Sequence, residues 1–211
     1  MAHPIRPLDA LVTLHITAHA LPASLCFADS SSRLHGLQSL QRLVRERQVE
    51  IHAYALMDNH LHLLMTGLEA GQIAAGMRWF LSGHAHRVNK ALGRRGPLWD
   101  DRYRSVLVAE ESHLLNSCLY IDSNPWRARV VRHPEESDWT SYRELSRGGE
   151  VGFLTPHPVL LGLGTGTADW RSGYRNMMEE YLRRASRSCS LGRIPGGPDP
   201  LAGLRLSIWH E

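Results

Sequence analysis

The first 125 residues alternate between segments with the two-residue period of a strand and segments with helical spacing. Leu11–Thr17 alternates apolar and polar residues and is rich in β-branched side chains, which predicts a strand. A helix-capping cluster at Asp29–Ser32 precedes leucines at helical spacing over Leu34–Val44. Val49–Met57 and His60–Thr66 then predict two further strands joined by a short hairpin turn.

The second half of this region repeats the pattern. Gln72–Leu92 carries its apolar residues at helical spacing, and Gly93–Pro97 ends the helix. Tyr103–Ala109 predicts a fourth strand, and Glu110–Asp122 predicts a third helix that ends before Pro125. The order β-α-β-β-α-β plus a helix predicts an α+β, ferredoxin-like fold: an antiparallel sheet with an added C-terminal helix.

The sequence becomes richer in glycine and proline after about residue 145. We therefore divide the chain into a predicted catalytic domain, residues 1–145, and a C-terminal extension, residues 146–211. Within the extension, Ala168–Ala185 predicts a helix, and the Gly/Pro-rich run Pro195–Pro200 predicts a loose tail.

Composition sets the protein class. The 211 residues have an ordinary apolar fraction of 43%, which argues against disorder and suits one domain with an appendage. Since no apolar run approaches the roughly 18 residues needed to cross a bilayer, no membrane association is expected. The N-terminal residues lack a secretory pattern, and the three cysteines are widely spread, so we expect a reducing cytoplasm.

The most informative motif is His60-Leu61-His62, inside a predicted strand. Side chains two apart in a strand share one face and lie about 7 Å apart, so both imidazoles can bind one divalent ion. His84 and His86 have the same spacing but lie in a predicted helix, where residues two apart face different directions. Only the first pair is therefore predicted to bind a metal.

A second motif lies at the end of the third predicted helix. Tyr120 and Asn124 are four residues apart and share a helix face, so a phenol and a carboxamide can approach a metal held by two histidines. A tyrosine pKa is ordinarily near 10, and a nearby cation stabilises the phenolate that acts as a nucleophile.

The segment from Gly76 to Arg104 is strongly basic. It carries seven basic residues and only two acidic ones, with aromatic residues between them. Cations beside aromatic rings suit single-stranded nucleic acid, whose phosphates need neutralising and whose bases stack. The predicted DNA-binding residues, including one just after the tyrosine helix, are Arg78, Arg87, Lys90, Arg94, Arg95, Arg102, Arg104 and Arg127.

These motifs, in this order and spacing, resemble the single-tyrosine His-hydrophobic-His transposases, and most closely the branch associated with repetitive extragenic palindromes (REP). The matching segments are residues 58–62, 94–99, 102–104, 120–128 and 139–142. The resemblance covers roughly residues 10 to 145.

The resemblance implies a metal-dependent endonuclease and strand transferase that acts on single-stranded DNA at hairpins. It implies that Tyr120 is the nucleophile and forms a 5′-phosphotyrosine intermediate, and that His60, His62 and Asn124 bind the metal. It also implies Mg²⁺ or Mn²⁺ as the cofactor, REP-like hairpins as the partner, and a monomer in preference to a dimer.

Several motifs also have purely structural explanations. A His-X-His pair in a strand is often a core or surface pair, Asn124 before Pro125 can simply end a helix, and a basic run can be a solvated face. A non-catalytic DNA- or RNA-binding ferredoxin-like module, derived from a transposase, therefore remains the alternative function. Covalent attachment of Tyr120 to DNA distinguishes the two.

Overall fold

A computed structural model describes residues 11–22, 24–148, 152–164 and 169–190. The strands are β1 (Thr13–His19), β2 (Val49–Met57), β3 (His60–Gly67) and β4 (Arg104–Leu107). The helices are α1 (Ser30–Arg47), α2 (Gln72–Ala91), α3 (Glu111–Asp122), α4 (Asn124–Arg127), α5 (Tyr142–Arg147), α6 (Pro158–Leu161) and α7 (Trp170–Ser190), with a 3₁₀ turn at Pro134–Glu136.

The four strands form one antiparallel sheet in the order β2-β3-β1-β4. This order confirms the predicted ferredoxin-like βαββαβ arrangement, with α3 as the added helix. The first strand begins and ends two residues later than predicted, since its pairing with β3 continues to His19 opposite His60. The predicted hairpin is present, because Met57 pairs with His60 across a two-residue turn.

Two helical layers cover the two faces of the sheet. One core contains Ile16, Leu61 and Leu63 and packs under α1 and α2. The other contains Leu64 and packs under α3, α5, α6 and α7. Alternate residues of β1 and β3 therefore face opposite layers, as strand geometry requires.

A β-bulge between Ile51 and Ala53 changes which side chains of β2 face each helical layer. One extra residue in a strand reverses which side chains face each layer. Ile51 and Tyr54 therefore both contribute to the α1/α2 core, while Ala53 faces the α3 layer. The small Ala53 and Ala55 side chains leave room for α3 to approach the sheet.

The first helix begins where the sequence predicts. The Asp29 carboxylate accepts a hydrogen bond from the Ser32 backbone N–H at 2.7 Å, and the Ser32 hydroxyl lies 3.2 Å from the Asp29 backbone nitrogen. This reciprocal capping box satisfies backbone donors that a helix start otherwise leaves unpaired.

The C-terminal extension contributes α7, five residues longer at its end than the predicted helix. Its Tyr174, Met178 and Tyr181 are buried against α3 and α5. The predicted tail at Pro195–Pro200 lies outside the described residues. None of the described helices is long and apolar enough to cross a membrane.

Candidate active site

The predicted histidine pair lies on the sheet face that α3 covers. His60 and His62 of β3 point to this face together with Leu64, while Leu61 and Leu63 point into the opposite core. The neighbouring strand β1 places His19 opposite His60 and Thr17 opposite His62. The strand geometry therefore sets both imidazoles on one surface, as predicted.

The tyrosine helix brings its phenol to the same surface. The ring centres of His60 and His62 lie 5.1 Å apart, and those of His62 and Tyr120 lie 5.5 Å apart with perpendicular planes. His62 is buried, whereas His60 and Tyr120 are half-buried and stay open to a ligand from one side. Within one chain, the two imidazoles and the phenol therefore lie together on one face of the sheet.

Hydrogen bonding decides which histidine nitrogens are available. His60 Nδ1 lies 2.8 Å from Asn59 Oδ1, an oxygen that can only accept, so this nitrogen carries the proton. His62 Nδ1 lies 3.1 Å from His15 Nε2 and 3.2 Å from Thr17 Oγ1. Both imidazoles thus make their hydrogen bonds through Nδ1, and Nε2 is the atom that each could offer to a metal.

Burial also keeps these imidazoles neutral. It lowers the pKa of His15 and of His60 to about 4, with smaller contributions from nearby histidines. Burial lowers the pKa of His62 well below its ordinary value, and the positive charges of neighbouring histidines act in the same direction. A metal needs the neutral form of imidazole, so the pair is ready to bind near neutral pH.

Asn124 lies one helical turn beyond Tyr120. Its amide nitrogen donates to the carbonyl oxygens of Tyr120, at 2.8 Å, and Ile121, at 3.3 Å. These bonds fix the amide plane and leave Oδ1 as the atom available to a ligand. They are also what a helix-ending asparagine makes, so both interpretations of Asn124 fit its contacts.

The donor set near Tyr120 contains two imidazoles as its nitrogen donors. Over the described ranges, no three side chains from histidine, cysteine, aspartate and glutamate are grouped to hold an ion. An ion bound by two imidazoles would keep further coordination positions open for an amide oxygen, phosphate and water.

The guanidinium of Arg127 lies over the Tyr120 ring. Its guanidinium carbon lies 4.9 Å from the centre of the Tyr120 ring, and its Nη1 donates to the Tyr181 hydroxyl at 3.3 Å. Tyr181 belongs to α7, so the C-terminal extension helps to orient an arginine beside the phenol. A fixed cation at this distance favours negative charge on the phenol and on a phosphate.

A buried carboxyl anchors the tyrosine helix to the rest of the fold. Asp122 accepts hydrogen bonds from the hydroxyls of Ser141 and Tyr174, at 2.5 and 2.7 Å. Burial raises the pKa of Asp122 to about 7, although the same hydrogen bonds oppose the shift. The anchor joins α3 to the start of α5 and to α7.

Asp122→Asn tests this anchor through the pH dependence of stability. The folded state holds the Asp122 proton up to about pH 7, whereas the unfolded chain loses it near its ordinary pKa of 3.8. As pH rises through that window, the contribution of Asp122 to stability falls. Between about pH 5 and pH 8, the free energy of unfolding of the wild type should therefore fall by about 3 kcal/mol relative to Asp122→Asn.

Urea unfolding at several pH values measures this difference. The control is Asp100→Asn, which removes an exposed carboxyl and should leave the pH dependence of stability unchanged. Equal pH profiles for the wild type and Asp122→Asn would contradict the raised pKa.

The predicted DNA-binding residues separate onto two sides of the sheet. Arg104 is paired with Thr17, which is itself paired with His62, so the three side chains form one row across the active-site face. Arg127 lies beside Tyr120. The exposed Arg78, Arg87 and Lys90 belong to α2, on the opposite side of the sheet.

The remaining basic and aromatic residues lie around the loop after α2. Arg94 donates to the Ser24 hydroxyl at 3.1 Å and to the Pro97 carbonyl at 3.2 Å, whereas Arg95 and Arg102 are exposed. The aromatic residues of the segment are mostly packed into the protein. Trp79 contacts Arg42 and Arg47 of α1, Trp99 donates to the Leu81 carbonyl, and Tyr103 is buried.

The second histidine pair behaves as its helical setting predicts. His84 is buried and bonds the Cys26 carbonyl through Nε2 at 2.7 Å, whereas His86 is exposed. The two rings face different surroundings and do not form a chelate.

Sequence reasoning missed His15, Thr17 and Tyr181. The signal for the first two was present, because Thr13, His15, Thr17 and His19 are all polar and all share one face of a central strand. Such a polar face in the middle of a sheet is uncommon unless a site uses it. Nothing in the sequence connects Tyr181 with Arg127, 54 residues earlier.

A family model and two solved structures match this chain. The model of the family described as "Transposase IS200 like" matches residues 25–124. A solved structure of a REP-associated tyrosine transposase bound to a REP hairpin aligns with a TM-score of 0.59 and 18% identity, over 80% of this chain and 97% of that one. At this identity the likeness establishes a shared fold.

A second structure, from Deinococcus radiodurans and described as a candidate transposase, aligns with a TM-score of 0.40 and 17% identity. That alignment covers 54% of this chain and 91% of the other. No curated protein gives a significant match.

Proposed function

We propose that this chain, whose residues 25–124 match the model of the IS200-like transposase family, is a transposase that cleaves and rejoins single-stranded DNA beside hairpins, with Tyr120 as its nucleophile. The observation that carries the proposal is the approach of Tyr120 to His62, with ring centres 5.5 Å apart, from elements 58 residues apart in the chain. A structural tyrosine has no need of a neutral histidine pair at this distance.

In the proposed reaction the Tyr120 hydroxyl oxygen attacks a backbone phosphorus. The bond from that phosphorus to the 3′ oxygen breaks, and a bond from phosphorus to the phenol oxygen forms. The phenol proton passes to solvent, and the departing 3′ oxygen takes up a proton to become a free hydroxyl. Attack of a 3′ hydroxyl on the phosphotyrosine reverses these steps, so rejoining needs no external energy source.

His60 and His62, through their Nε2 atoms, and Asn124, through Oδ1, are the proposed ligands of Mg²⁺ or Mn²⁺. When bound, the ion polarises a phosphoryl oxygen and stabilises the phenolate. Imidazole nitrogen suits Mn²⁺ better than Mg²⁺, whereas the amide and phosphate oxygens suit both. The orientation of the two imidazoles by Asn59 and His15 supports this assignment.

Arg127 is proposed to act beside the nucleophile. Its guanidinium lies over the Tyr120 ring and is held by Tyr181, so its charge is already in place when the phenol loses its proton. Preorganised charge of this kind stabilises a transition state without reorganisation during the reaction.

One chain supplies all of the proposed catalytic side chains. Tyr120 approaches the histidines of its own sheet, so a monomer is sufficient for the chemistry. We propose a monomer that acts on hairpin-containing single strands, in line with the structural relative that is bound to a REP hairpin.

The adduct assay tests the proposal directly. A hairpin oligonucleotide with a fluorescent 3′ end is incubated with the protein and Mn²⁺ and separated on a denaturing gel. Transfer of the label to protein-sized bands supports the proposed reaction, because the 3′ part of the cut strand stays on the tyrosine. Hairpin binding without any adduct, with or without Mn²⁺, supports the non-catalytic binding module instead.

The two sides of the sheet should also differ in DNA binding. Arg104→Gln removes a cation from the row that contains His62, so single-stranded DNA should bind several-fold more weakly. The slope of log K against log salt concentration should fall by about 0.7, the value for one phosphate contact on a single strand. Fluorescence anisotropy over a salt series measures both quantities.

Arg78→Gln is the matched comparison, since it removes another exposed arginine, from α2 on the opposite side of the sheet. The affinity of the Arg78→Gln variant for a single strand without a hairpin should stay within about two-fold of the wild-type affinity. Equal losses in the two variants would show that the strand does not follow the active-site face.

A further inference from the structure

The β1 residue His15 contacts a proposed metal ligand without being placed to bind the metal with it. Its Nε2 lies 3.1 Å from His62 Nδ1, and the two ring centres are 5.3 Å apart. His15 is half-buried between β3 and the tyrosine helix, and its ring also meets the edge of Tyr120, with centres 6.0 Å apart. This position gives His15 contact with both a metal ligand and the nucleophile.

The hydrogen bond between the two histidines restricts their tautomers. A neutral imidazole has one N–H donor and one acceptor nitrogen. If His62 binds a metal through Nε2, its proton must be on Nδ1, and His15 Nε2 must accept it. If instead His15 Nε2 donates, the proton of His62 moves to Nε2 and blocks metal binding.

Thr17 offers His62 Nδ1 a second partner, its Oγ1 at 3.2 Å. A hydroxyl can turn to donate or accept, so Thr17 does not select a tautomer by itself. An imidazole nitrogen is a stronger hydrogen-bond acceptor than a hydroxyl oxygen, so His15 is the better partner for a proton on His62 Nδ1.

We propose that His15 is a positioning residue of the metal site. By accepting a hydrogen bond from His62 Nδ1–H, His15 holds His62 in its metal-binding tautomer. The inference rests on the proposed metal-dependent function and assigns a role outside the His-hydrophobic-His motif. Outer partners of metal-binding histidines typically contribute 10- to 100-fold to metal affinity.

Titration calorimetry of the full chain with Mn²⁺, in the absence of DNA, tests the proposal. His15→Leu should weaken Mn²⁺ binding by roughly 10- to 100-fold. His15→Gln places an amide oxygen where Nε2 lies and should restore the affinity to within about five-fold of the wild type. His19→Leu is the matched control, because His19 lies on the same face of β1 and stacks on His60. The Mn²⁺ affinity of this variant should stay within about two-fold of the wild type.

The outcomes separate this inference from the proposed function. An unchanged Mn²⁺ affinity in His15→Leu overturns the inference. An equal loss of Mn²⁺ affinity in His15→Leu and His15→Gln also overturns it, because that result would indicate that His15 acts through packing alone. The adduct assay on the wild type reports on the function independently of both results. A wild type that binds no Mn²⁺ overturns the inference together with the metal-dependent reaction.

A spectroscopic measurement on the wild type avoids any folding defect of the variants. In the Zn²⁺-loaded protein, proton–nitrogen spectra of the imidazoles should place the His62 proton on Nδ1 and couple it to His15. A proton on His62 Nε2 would overturn the proposal whatever the variants show.

Discussion

Replacing Tyr120 with phenylalanine is expected to abolish the covalent protein–DNA adduct while leaving hairpin binding within about two-fold of the wild type. Phenylalanine keeps the ring, which packs between the edges of His15 and His62 and the guanidinium of Arg127. The variant lacks the one oxygen that can form the bond to phosphorus. Strand cleavage should fall by a factor of about a thousand or more, as for other removed nucleophiles.

Tyr142→Phe is the matched control, because it removes one hydroxyl from a buried tyrosine elsewhere in the α3 layer. That variant should form the adduct at the wild-type rate. If Tyr120→Phe still produced labelled protein, another residue would be the nucleophile. Loss of the adduct in both variants would point to damage to the fold, which a thermal melt would reveal.

The main features of this fold were predictable because each depends on local sequence. The hairpin that carries His60 and His62 follows from two strand-like segments separated by two residues, and its bounds are as predicted for β2. The tyrosine helix follows from its apolar spacing and from the proline that ends it. Since strand pairing then fixes which residues share a face, the histidine pair needed no tertiary information.

The residues that hold the site in place, such as His15 and Tyr181, were not predictable in the same way. His15 reaches His62 only because β1 lies next to β3, which is decided by the sheet order and not by either strand alone. Arg127 meets Tyr181 only because α7 returns across α3. Such partners depend on packing between elements far apart in sequence, so a single sequence gives no direct sign of them.

The basic segment shows a different limit of sequence reasoning. Its charge is a property of composition, and composition does not say which side of the sheet each residue occupies. The fold assigns Arg104 to the row of His62 and assigns Arg78 to α2 behind the sheet. The sequence predicts DNA contact for the α2 residues as well, whereas their place behind the sheet argues against contact with a strand at the active site. The Arg78→Gln comparison decides between the two.

Replacing His62 with alanine is expected to have the second large effect, on metal binding and cleavage together. His62 is the buried member of the pair, and its Nδ1 partners hold it in place for a ligand on Nε2. Its loss should weaken Mn²⁺ binding by more than about a hundred-fold, beyond the effect of losing an outer partner. Adduct formation should fall by a factor of about a thousand, since a catalytic metal contributes several kcal/mol to transition-state stabilisation.

His86→Ala is the control that separates a lost metal ligand from a lost histidine. His86 belongs to the other His-X-His pair and is exposed on α2, so its removal should change neither Mn²⁺ affinity nor the adduct. Calorimetry and the gel assay, each run with both variants, measure the two effects. Wild-type cleavage by His62→Ala at low Mn²⁺ concentration would rule out the histidine pair as the metal site. A loss of Mn²⁺ binding that leaves cleavage unchanged would show instead that Tyr120 reacts without the ion, and that Arg127 supplies the charge stabilisation alone.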